Sequence, residues 1–365
     1  MPTPNTPVYL NTAACGLIPE TVQQAGADFY KDFATNSAAA AEHWRDVQRF
    51  EIKETIARFM GAAKENVALI PNFSYGINAI VQTLKGDEKV LLYKKDFPSV
   101  YIPFVINNFD IVWIDDEDGF LISLEKIEAL IREQKINLVA ISHVQWQSGF
   151  KLDIKTLCSI CKQNNVHTII DATQSLGALH IDIQDIDPDI LISSNYKWMN
   201  AGFGSGILYM NDAFAQQYPA VISGMHSNTF RFANNQFDFD GRGIDNYEPG
   251  SANMFGGTIL NAAIEEKNKI GIAAIEAHNA ALATTVLEKL SAFPVQLVGP
   301  AEMSNRSAIV VVKEERGLHQ HLSNNNIITT GRNGLVRISM HYYNTITDVD
   351  ALVSCIREWA QTTNL

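Results

Sequence analysis

The sequence of 365 residues predicts an α/β fold, in which a large domain is built on a mainly parallel seven-stranded sheet and a small α+β C-terminal domain completes the chain. Two observations lead to this prediction. Apolar, β-branched runs alternate with segments of helical periodicity across residues 67–210, and strands that alternate with helices form parallel sheets covered on both faces. After residue 257 a long helical pattern and a few scattered strands follow. We therefore predict a large domain over residues 15–257 and a small domain formed by residues 1–14 and 258–365.

Each predicted strand of the large sheet is a short run rich in Val, Ile and Leu. Helical periodicity between these runs is clearest at Leu124–Glu133 and Ile154–Gln163. The seven predicted strands are Val67–Ile70, Val90–Tyr93, Asp110–Ile114, Leu138–Ser142, Thr168–Asp171, Ile190–Ser193 and Gly206–Met210.

The C-terminal part of the chain is expected to begin with one long helix, Ile259–Leu290. It should end with the helix Thr347–Thr362, capped by Thr347 or Asp348. The elements expected between them are the strands Val295–Val298, Ala308–Val312 and Leu335–Met340 and the helix Gly317–Asn324.

The composition favours an acidic cytoplasmic enzyme. Lys plus Arg number 28 and Asp plus Glu number 40, so the net charge of −12 argues against binding to nucleic acid or to an anionic membrane. No apolar run approaches the ~20 residues of a membrane span, and the N-terminus lacks the basic and apolar regions of a signal peptide. Cys158 and Cys161 share one predicted helix, without the two further ligands that a zinc site needs. We expect no metal site.

Lys197 and Asp171 form the first candidate site. The predicted strand Ile190–Ser193 leads to Lys197 and then into a glycine-rich loop, and the preceding strand ends in Asp171, three residues before Gln174. Ligands of such sheets bind at the carboxyl ends of the strands. A lysine that can form a Schiff base and a carboxylate that can keep a ring nitrogen protonated are what pyridoxal phosphate requires. A solvated lysine and a helix-capping aspartate are the ordinary alternatives.

A phosphate site is predicted at the beginning of a helix. The apolar run Val67–Ile70 breaks at Pro71, and apolar residues then recur with helical spacing at positions 77, 80, 81 and 84. A helix N-terminus offers unpaired N–H groups and the positive end of a dipole to a phosphate, and Ser74 would add a hydroxyl. The alternative is that Ser74 is an ordinary N-cap.

Together these motifs resemble the class V aminotransferases of pyridoxal phosphate fold type I, a family that includes cysteine desulfurases, kynureninase and isopenicillin N epimerase-like enzymes. The resemblance extends from Tyr9–Ala14 to Arg337–Thr345 and so covers almost the whole chain. It implies a pyridoxal phosphate-dependent transferase or lyase acting on an amino acid, through a Schiff base between substrate and cofactor. Because Gly250–Ser251 resembles a segment that reaches the partner's phosphate, it also implies a homodimer with composite active sites.

The resemblance also implies roles for individual residues. Lys197 and Asp171 would be catalytic, Phe97 would stack on the ring and Gln174 would reach the ring hydroxyl. Further cofactor contacts are implied for Ser74, Tyr75, Ser194, Tyr196 and Ser251. Substrate contacts are implied for Arg337, Trp146 and Asn11, with Arg337 as the clamp of the α-carboxylate and Arg332 as its rival.

Two departures from the cysteine desulfurases bear on the reaction. Those enzymes carry a loop with a catalytic cysteine shortly before the carboxylate-binding arginine, whereas Thr329–Arg337 is a short connection without a cysteine. They also have Asn where this chain has Trp146. The substrate and the bond that is broken therefore stay open. Transamination and cleavage at Cα or Cβ are expected, and an enzyme like the cysteine desulfurases and selenocysteine lyases, or an amino-acid epimerase, is the alternative.

Two hypotheses lie outside this chemistry. The glycines at positions 202, 204 and 206 could suggest a dinucleotide-binding oxidoreductase, but that fingerprint is Gly-x-Gly-x-x-Gly after a strand and before a helix. Here the glycines precede a strand. The other hypothesis is a catalytically inactive relative that only binds a partner, and the presence of Lys197, Asp171 and Arg337 argues against it.

Overall fold

A computed structural model describes residues 7–224, 230–233, 236–239, 243–300 and 302–362. Helices of the described chain surround its sheets. The helices are α1 (Glu20–His43), α2 (Arg49–Met60), α3 (Phe73–Thr83), α4 (Pro98–Ile106), α5 (Leu124–Gln134), α6 (Ile154–Gln163), α7 (Ile183–Ile186), α8 (Asp212–Gln217), α9 (Met254–Ile270), α10 (Ile272–Leu290), α11 (Leu318–Asn324) and α12 (Ile346–Thr362).

The strands form one large sheet and several smaller ones. They are β1 (Val8–Tyr9), β2 (Val67–Ile70), β3 (Lys89–Tyr93), β4 (Asp110–Ile114), β5 (Leu138–Ser142), β6 (His167–Asp171), β7 (Ile190–Ser194), β8 (Gly206–Met210), β9 (Phe230–Ala233), β10 (Gln236–Phe239), β11 (Leu297–Val298), β12 (Ile309–Lys313), β13 (Ile327–Ile328), β14 (Thr330–Arg332) and β15 (Leu335–Ser339).

The large sheet has the order β2-β8-β7-β6-β5-β3-β4. The strands from β7 to β4 run parallel, and β8 is antiparallel to both of its neighbours. Its central strands are buried along their whole length, as expected for a sheet with helices on both faces. The seven predicted runs are the seven strands of this sheet, and the predicted fold class is confirmed.

The register of the sheet brings the predicted site residues together. Ser142 of β5 lies beside Asp171 of β6, and Asp171 lies beside Ile192 of β7. The carboxyl ends of these three strands therefore form one edge, and Lys197 follows three residues after β7 ends.

A second sheet has the antiparallel order β11-β12-β15-β14. The N-terminal strand β1 pairs with β13, so the beginning of the chain lies beside its C-terminal part. The apolar core around this region runs from Leu10 and Leu282 to Trp359, whereas Ile259 and Ile264 of α9 belong to the core beside the large sheet. The division at residues 257 and 258 stays a prediction.

Two details of the predicted C-terminal helices are wrong. The expected single helix is broken at Gly271, whose φ of 89° ends α9, and α10 leaves at an angle of 77°. Apolar periodicity continues on both sides of this residue, so it does not reveal the break. The terminal helix begins at Ile346, so neither Thr347 nor Asp348 is its N-cap. The Asp348 carboxylate instead lies in the first turn and accepts a hydrogen bond from the N–H of Thr345 at 2.8 Å.

Within the described ranges, no single helix is both long enough and apolar enough to cross a membrane. Only α9 and α10 taken together, across their bend, reach the required length and composition.

Candidate active site

Two joined cavities lie at the carboxyl ends of the parallel strands. The first, called here the Asp171 cavity, has a volume of about 510 Å³, and the second, the Arg337 cavity, about 290 Å³. Volumes of ~300–1,000 Å³ are usual for small-molecule sites. The two cavities share the side chains of Phe97, Trp146, Gln174, Tyr196 and Lys197.

Lys197 lies where the cavities meet. Its side chain is buried, and its Nζ is 5.4 Å from the centroid of the Phe97 ring and 5.5 Å from that of Tyr196. Burial lowers the pKa of this amine to about 8, against the opposing effect of Asp171 and with a further lowering by Arg337. A lysine must lose its proton before it can attack an aldehyde. The lowered pKa makes the unprotonated form of this amine more accessible near neutral pH, and the role of Lys197 as the Schiff-base lysine stays a prediction.

Asp171 ends β6 and is buried in the first cavity. Its Oδ1 accepts a hydrogen bond from the N–H of Thr173 at 2.8 Å, and its Oδ2 is 3.4 Å from the Ser142 hydroxyl. Burial raises the pKa of this carboxyl to about 6, although the bonds from Thr173 oppose the rise. A cationic N–H group brought next to Asp171 would compensate the buried charge.

The beginning of α3 faces the same cavity. Asn72 caps this helix, because its Oδ1 accepts from the N–H of Tyr75 at 2.9 Å. Ser74 is the second residue inside the helix and is not the N-cap, so the capping alternative considered for it is wrong. Asn72 takes that role because it lies outside the helix in extended backbone geometry, which an N-cap requires.

Three serine hydroxyls and the α3 N-terminus lie at one end of the Asp171 cavity. The hydroxyls of Ser74 and Ser99 are 2.9 Å apart, and the buried Ser194 hydroxyl accepts from the N–H of Phe73 at 2.8 Å. Thr173 also lines this cavity, but its hydroxyl is bonded to Asp171 and accepts from the N–H of Ser194 at 3.0 Å. Serine hydroxyls beside a helix N-terminus suit a phosphate. Sequence reasoning found Ser74 and Ser194 but missed Ser99 and Thr173, which carry no motif of their own.

Phe97 and Gln174 border the space between these groups. The Phe97 ring meets Trp146 edge-on at 5.8 Å between centroids, and one of its sides faces Lys197. Gln174 donates to the carbonyl of Ala13 at 3.0 Å and accepts from the indole N–H of Trp198 at 2.7 Å. Since an amide nitrogen carries two hydrogens, Gln174 keeps one donor for a ligand.

Arg337 extends from β15 into the second cavity. Its Nη1 donates to the carbonyl of Trp146 at 2.6 Å, while its buried Nε has no hydrogen-bond partner among the described residues. Burial, and then the neighbouring Arg332, lower the pKa of this guanidinium to about 10. No carboxylate of the described chain pairs with it. A half-buried cation with an unused donor is suited to bind an anionic group of a ligand.

Three predicted residues do not line either cavity. Tyr75 and Ser251 line a neighbouring pocket that meets the Asp171 cavity at Gly204. Asn11 accepts a hydrogen bond from the Thr330 hydroxyl at 2.6 Å. The roles of these three residues stay predictions.

A buried polar cluster, which the sequence did not predict, holds the loop that follows Lys197. The amine of Lys267 on α9 is 2.8 Å from the Asn200 Oδ1 and 3.3 Å from the His341 Nε2, which is itself 2.8 Å from the carbonyl of Trp198. Burial lowers the pKa of Lys267 to about 7. Two residues of the loop after Lys197 are thereby tied to α9 and to the segment after β15.

These features define a class of enzyme. One cavity is lined by the α3 N-terminus with its serine hydroxyls, an aromatic ring, a buried carboxylate and a buried amine. In that order, these groups fit the phosphate, the ring, the ring nitrogen and the aldehyde of pyridoxal phosphate. The site and the fold are those of a pyridoxal phosphate-dependent enzyme of fold type I.

Comparisons with known proteins place the chain in a family. A family model described as Aminotransferase class-V matches residues 8–352, so the chain belongs to the class V aminotransferases. A probable cysteine desulfurase of Pyrococcus abyssi (strain GE5 / Orsay) is 24% identical over 386 residues, with 96% of this chain and 94% of the relative covered.

Solved structures share the fold. The apo cysteine desulfurase of Thermococcus onnurineus NA1 is similar with a TM-score of 0.87 at 22% identity, over 98% of this chain and 95% of that chain. A mutant of C-DES with glycine covalently linked to the PLP cofactor is similar with a TM-score of 0.86 at 17% identity, over 96% of each chain. The predicted family, cofactor and general activity, a pyridoxal phosphate enzyme acting on an amino acid, are confirmed.

Proposed function

We propose that the protein acts on an α-amino acid whose carboxylate is bound by Arg337 and whose α-proton is taken by Lys197. The observation that carries this proposal is that Lys197 and Arg337 line one cavity, which joins the Asp171 cavity at Lys197. When bound, pyridoxal phosphate supplies an aldehyde for the amino group and a ring that withdraws electrons from Cα.

The residues divide this task between them. Arg337 offers its unused Nε and the remaining donors of its guanidinium to the carboxylate, which fixes the position of Cα relative to Lys197. The lowered pKa of Lys197 allows it to accept the proton, and Asp171 holds a proton at the ring nitrogen through its buried carboxylate. Ser74 and Ser194 bind the phosphate. Transamination and cleavage at Cα or Cβ both need these steps.

Cysteine desulfuration is the second candidate, because similar proteins such as that of Pyrococcus abyssi are named probable cysteine desulfurases. β14 and β15 are joined by Asn333 and Gly334 alone, so this connection is too short to be the cysteine-bearing loop expected for desulfurases. Cys15 lies close enough to Lys197 for their charges to interact, but burial raises the pKa of its thiol. We therefore favour chemistry that uses no protein thiol.

We further propose a cytoplasmic homodimer in which Ser251 serves the partner's phosphate, while Tyr75 serves the phosphate of its own subunit. Apolar side chains near the Asp171 cavity support this proposal, since Leu17 and Ile18 are each 45% exposed and Phe203 is 69% exposed. Clustered exposed apolar groups mark interaction surfaces. Mixing Lys197→Ala with Ser251→Tyr subunits should restore activity, because one mixed site would carry both changes and the other neither. A fully active monomer would contradict the dimer.

The central test is borohydride reduction of the holoenzyme followed by peptide mapping, with a screen of amino acids read from cofactor absorbance and products. The label should lie on Lys197 and be lost in Lys197→Ala. A label on another lysine would overturn the site. Formation of alanine from cysteine, with a persulfide trapped on Cys15 and lost in Cys15→Ser, would replace the first candidate with the second.

A further inference from the structure

A second guanidinium, that of Arg332, lies beside Arg337 in the same cavity. In the antiparallel pair β14 and β15, Thr330 lies opposite Arg337, and Arg332 lies opposite Leu335. Because alternate residues of a strand share a face, these four side chains project from one face of the ladder. All four line the Arg337 cavity. Diagonal neighbours of this kind are about 7–8 Å apart.

The turn between the strands holds this arrangement. Asn333 and Gly334 both have positive φ angles, 53° and 72°. A two-residue loop with positive φ at both positions matches the twist of the two strands that it joins. Arg332 therefore extends from the last position of a tightly closed hairpin, next to the opening of the cavity, while Arg337 lies deeper.

Trp146 positions both guanidinium groups. The Arg332 Cζ lies 5.0 Å from the centroid of the Trp146 indole, and the Trp146 carbonyl accepts from Arg337. The indole ring itself is held by a hydrogen bond from its N–H to the carbonyl of Lys95 at 3.3 Å. An arginine that stacks on a fixed aromatic ring keeps its planar edge free to bind an anion.

Among the residues that the structure describes, the cavity offers these cations no opposite charge. Neither arginine forms a salt bridge to a residue that the structure describes, and no Asp or Glu is found among the described side chains that line the cavity. Lys95, whose carbonyl accepts from the Trp146 indole, is by contrast paired with Asp116 at 2.8 Å. Two like charges in a partly enclosed site attract anions and repel each other until anions bind. The α-carboxylate of a substrate would neutralise only one of them.

We propose that Arg332 binds a second anionic group of the substrate, so that the preferred substrates are α-amino acids with a negatively charged side chain. This inference rests on the proposed function, in which Arg337 binds the α-carboxylate. The half-buried Arg337 guanidinium then holds the α-carboxylate near Lys197, and the exposed Arg332 guanidinium holds the side-chain anion. Arg332 thus determines specificity and takes no part in the proton transfer.

The activity test compares substrates of equal shape and different charge. With the holoenzyme, aspartate should be favoured over asparagine, or glutamate over glutamine, by roughly five- to tenfold in kcat/KM, since a partly solvated ion pair is worth less than a buried one. In Arg332→Gln this ratio should fall to about one through a higher KM for the acidic substrate, with the neutral substrate unaffected. Arg332→Lys should recover part of the preference. Lys313→Gln, which removes an exposed charge from the adjacent strand β12, is the matched control and should keep the ratio.

A binding test does not depend on turnover. Calorimetry with the holoenzyme should show tighter binding of succinate or glutarate than of butyrate, and Arg332→Gln should remove the difference while Lys313→Gln retains it. Amino acids processed without preference for acidic side chains, and dicarboxylates that bind no better than butyrate, would overturn this inference and leave the proposed function intact. No response of the cofactor to any α-amino acid would instead refute the proposed function, and the calorimetric comparison would then decide on Arg332 alone.

Discussion

Replacing Arg337 by Gln tests whether this residue is the carboxylate clamp. The Nη1 of Arg337 is used by the Trp146 carbonyl, but its Nε has no partner among the described residues, so a substrate carboxylate would gain charge-assisted hydrogen bonds that the protein does not satisfy. Bonds of this kind are worth about 1.5–3 kcal/mol. At about 1.4 kcal/mol for each factor of ten, kcat/KM for the best α-amino acid should fall about 10- to 150-fold.

Two measurements separate this loss from a structural defect. The cofactor absorbance and the melting temperature of Arg337→Gln should stay close to those of the wild type, because the variant removes a half-buried charge that has no ion-pair partner in the described chain. A primary amine that lacks the carboxylate but is otherwise identical to the substrate should react equally well with both proteins. An equal loss for the amine and the amino acid would refute the reasoning, and so would an unchanged kcat/KM for the amino acid.

Three further changes have defined outcomes. Asp171→Asn should bind the cofactor but lose roughly a hundredfold or more in kcat, because an amide cannot keep the ring nitrogen protonated, and a variant with normal kcat would contradict this role. Burial lowers the pKa of Lys267 to about 7, so between pH 7 and about 10 the unfolded state binds more protons than the folded state. In urea denaturation, the free energy of unfolding of the wild type should therefore rise by about 1–3 kcal/mol relative to that of Lys267→Met over this pH range. A constant difference between the two proteins would show that this amine keeps its ordinary pKa. Gly334→Ala should lower the free energy of unfolding by about 1–2 kcal/mol, because Gly334 has a φ of 72°. Gly243→Ala is the control and should change the melting temperature little, because Gly243 has equally open surroundings but a negative φ.

Local sequence patterns were sufficient wherever the structure depends on neighbouring residues. The buried strands β5, β6 and β7 are short apolar runs, and the placement of Asp171 and Lys197 follows from their position at or just after strand ends in a parallel sheet. The Asn333–Gly334 dipeptide is also a local signal, since it marks a two-residue hairpin turn, and here it joins β14 to β15.

Sequence by itself therefore determined the fold class, the family and the cofactor, and it placed Asp171 and Lys197 at neighbouring strand ends. Only the tertiary structure showed that Lys267 supports the loop after Lys197, that Trp146 positions Arg332 and Arg337, and that Gly271 breaks a helix. The physical reason is distance along the chain. Periodicity records which residues face a core, whereas contacts between residues far apart in sequence depend on how whole elements pack, and a single polar side chain carries no sign of its distant partner.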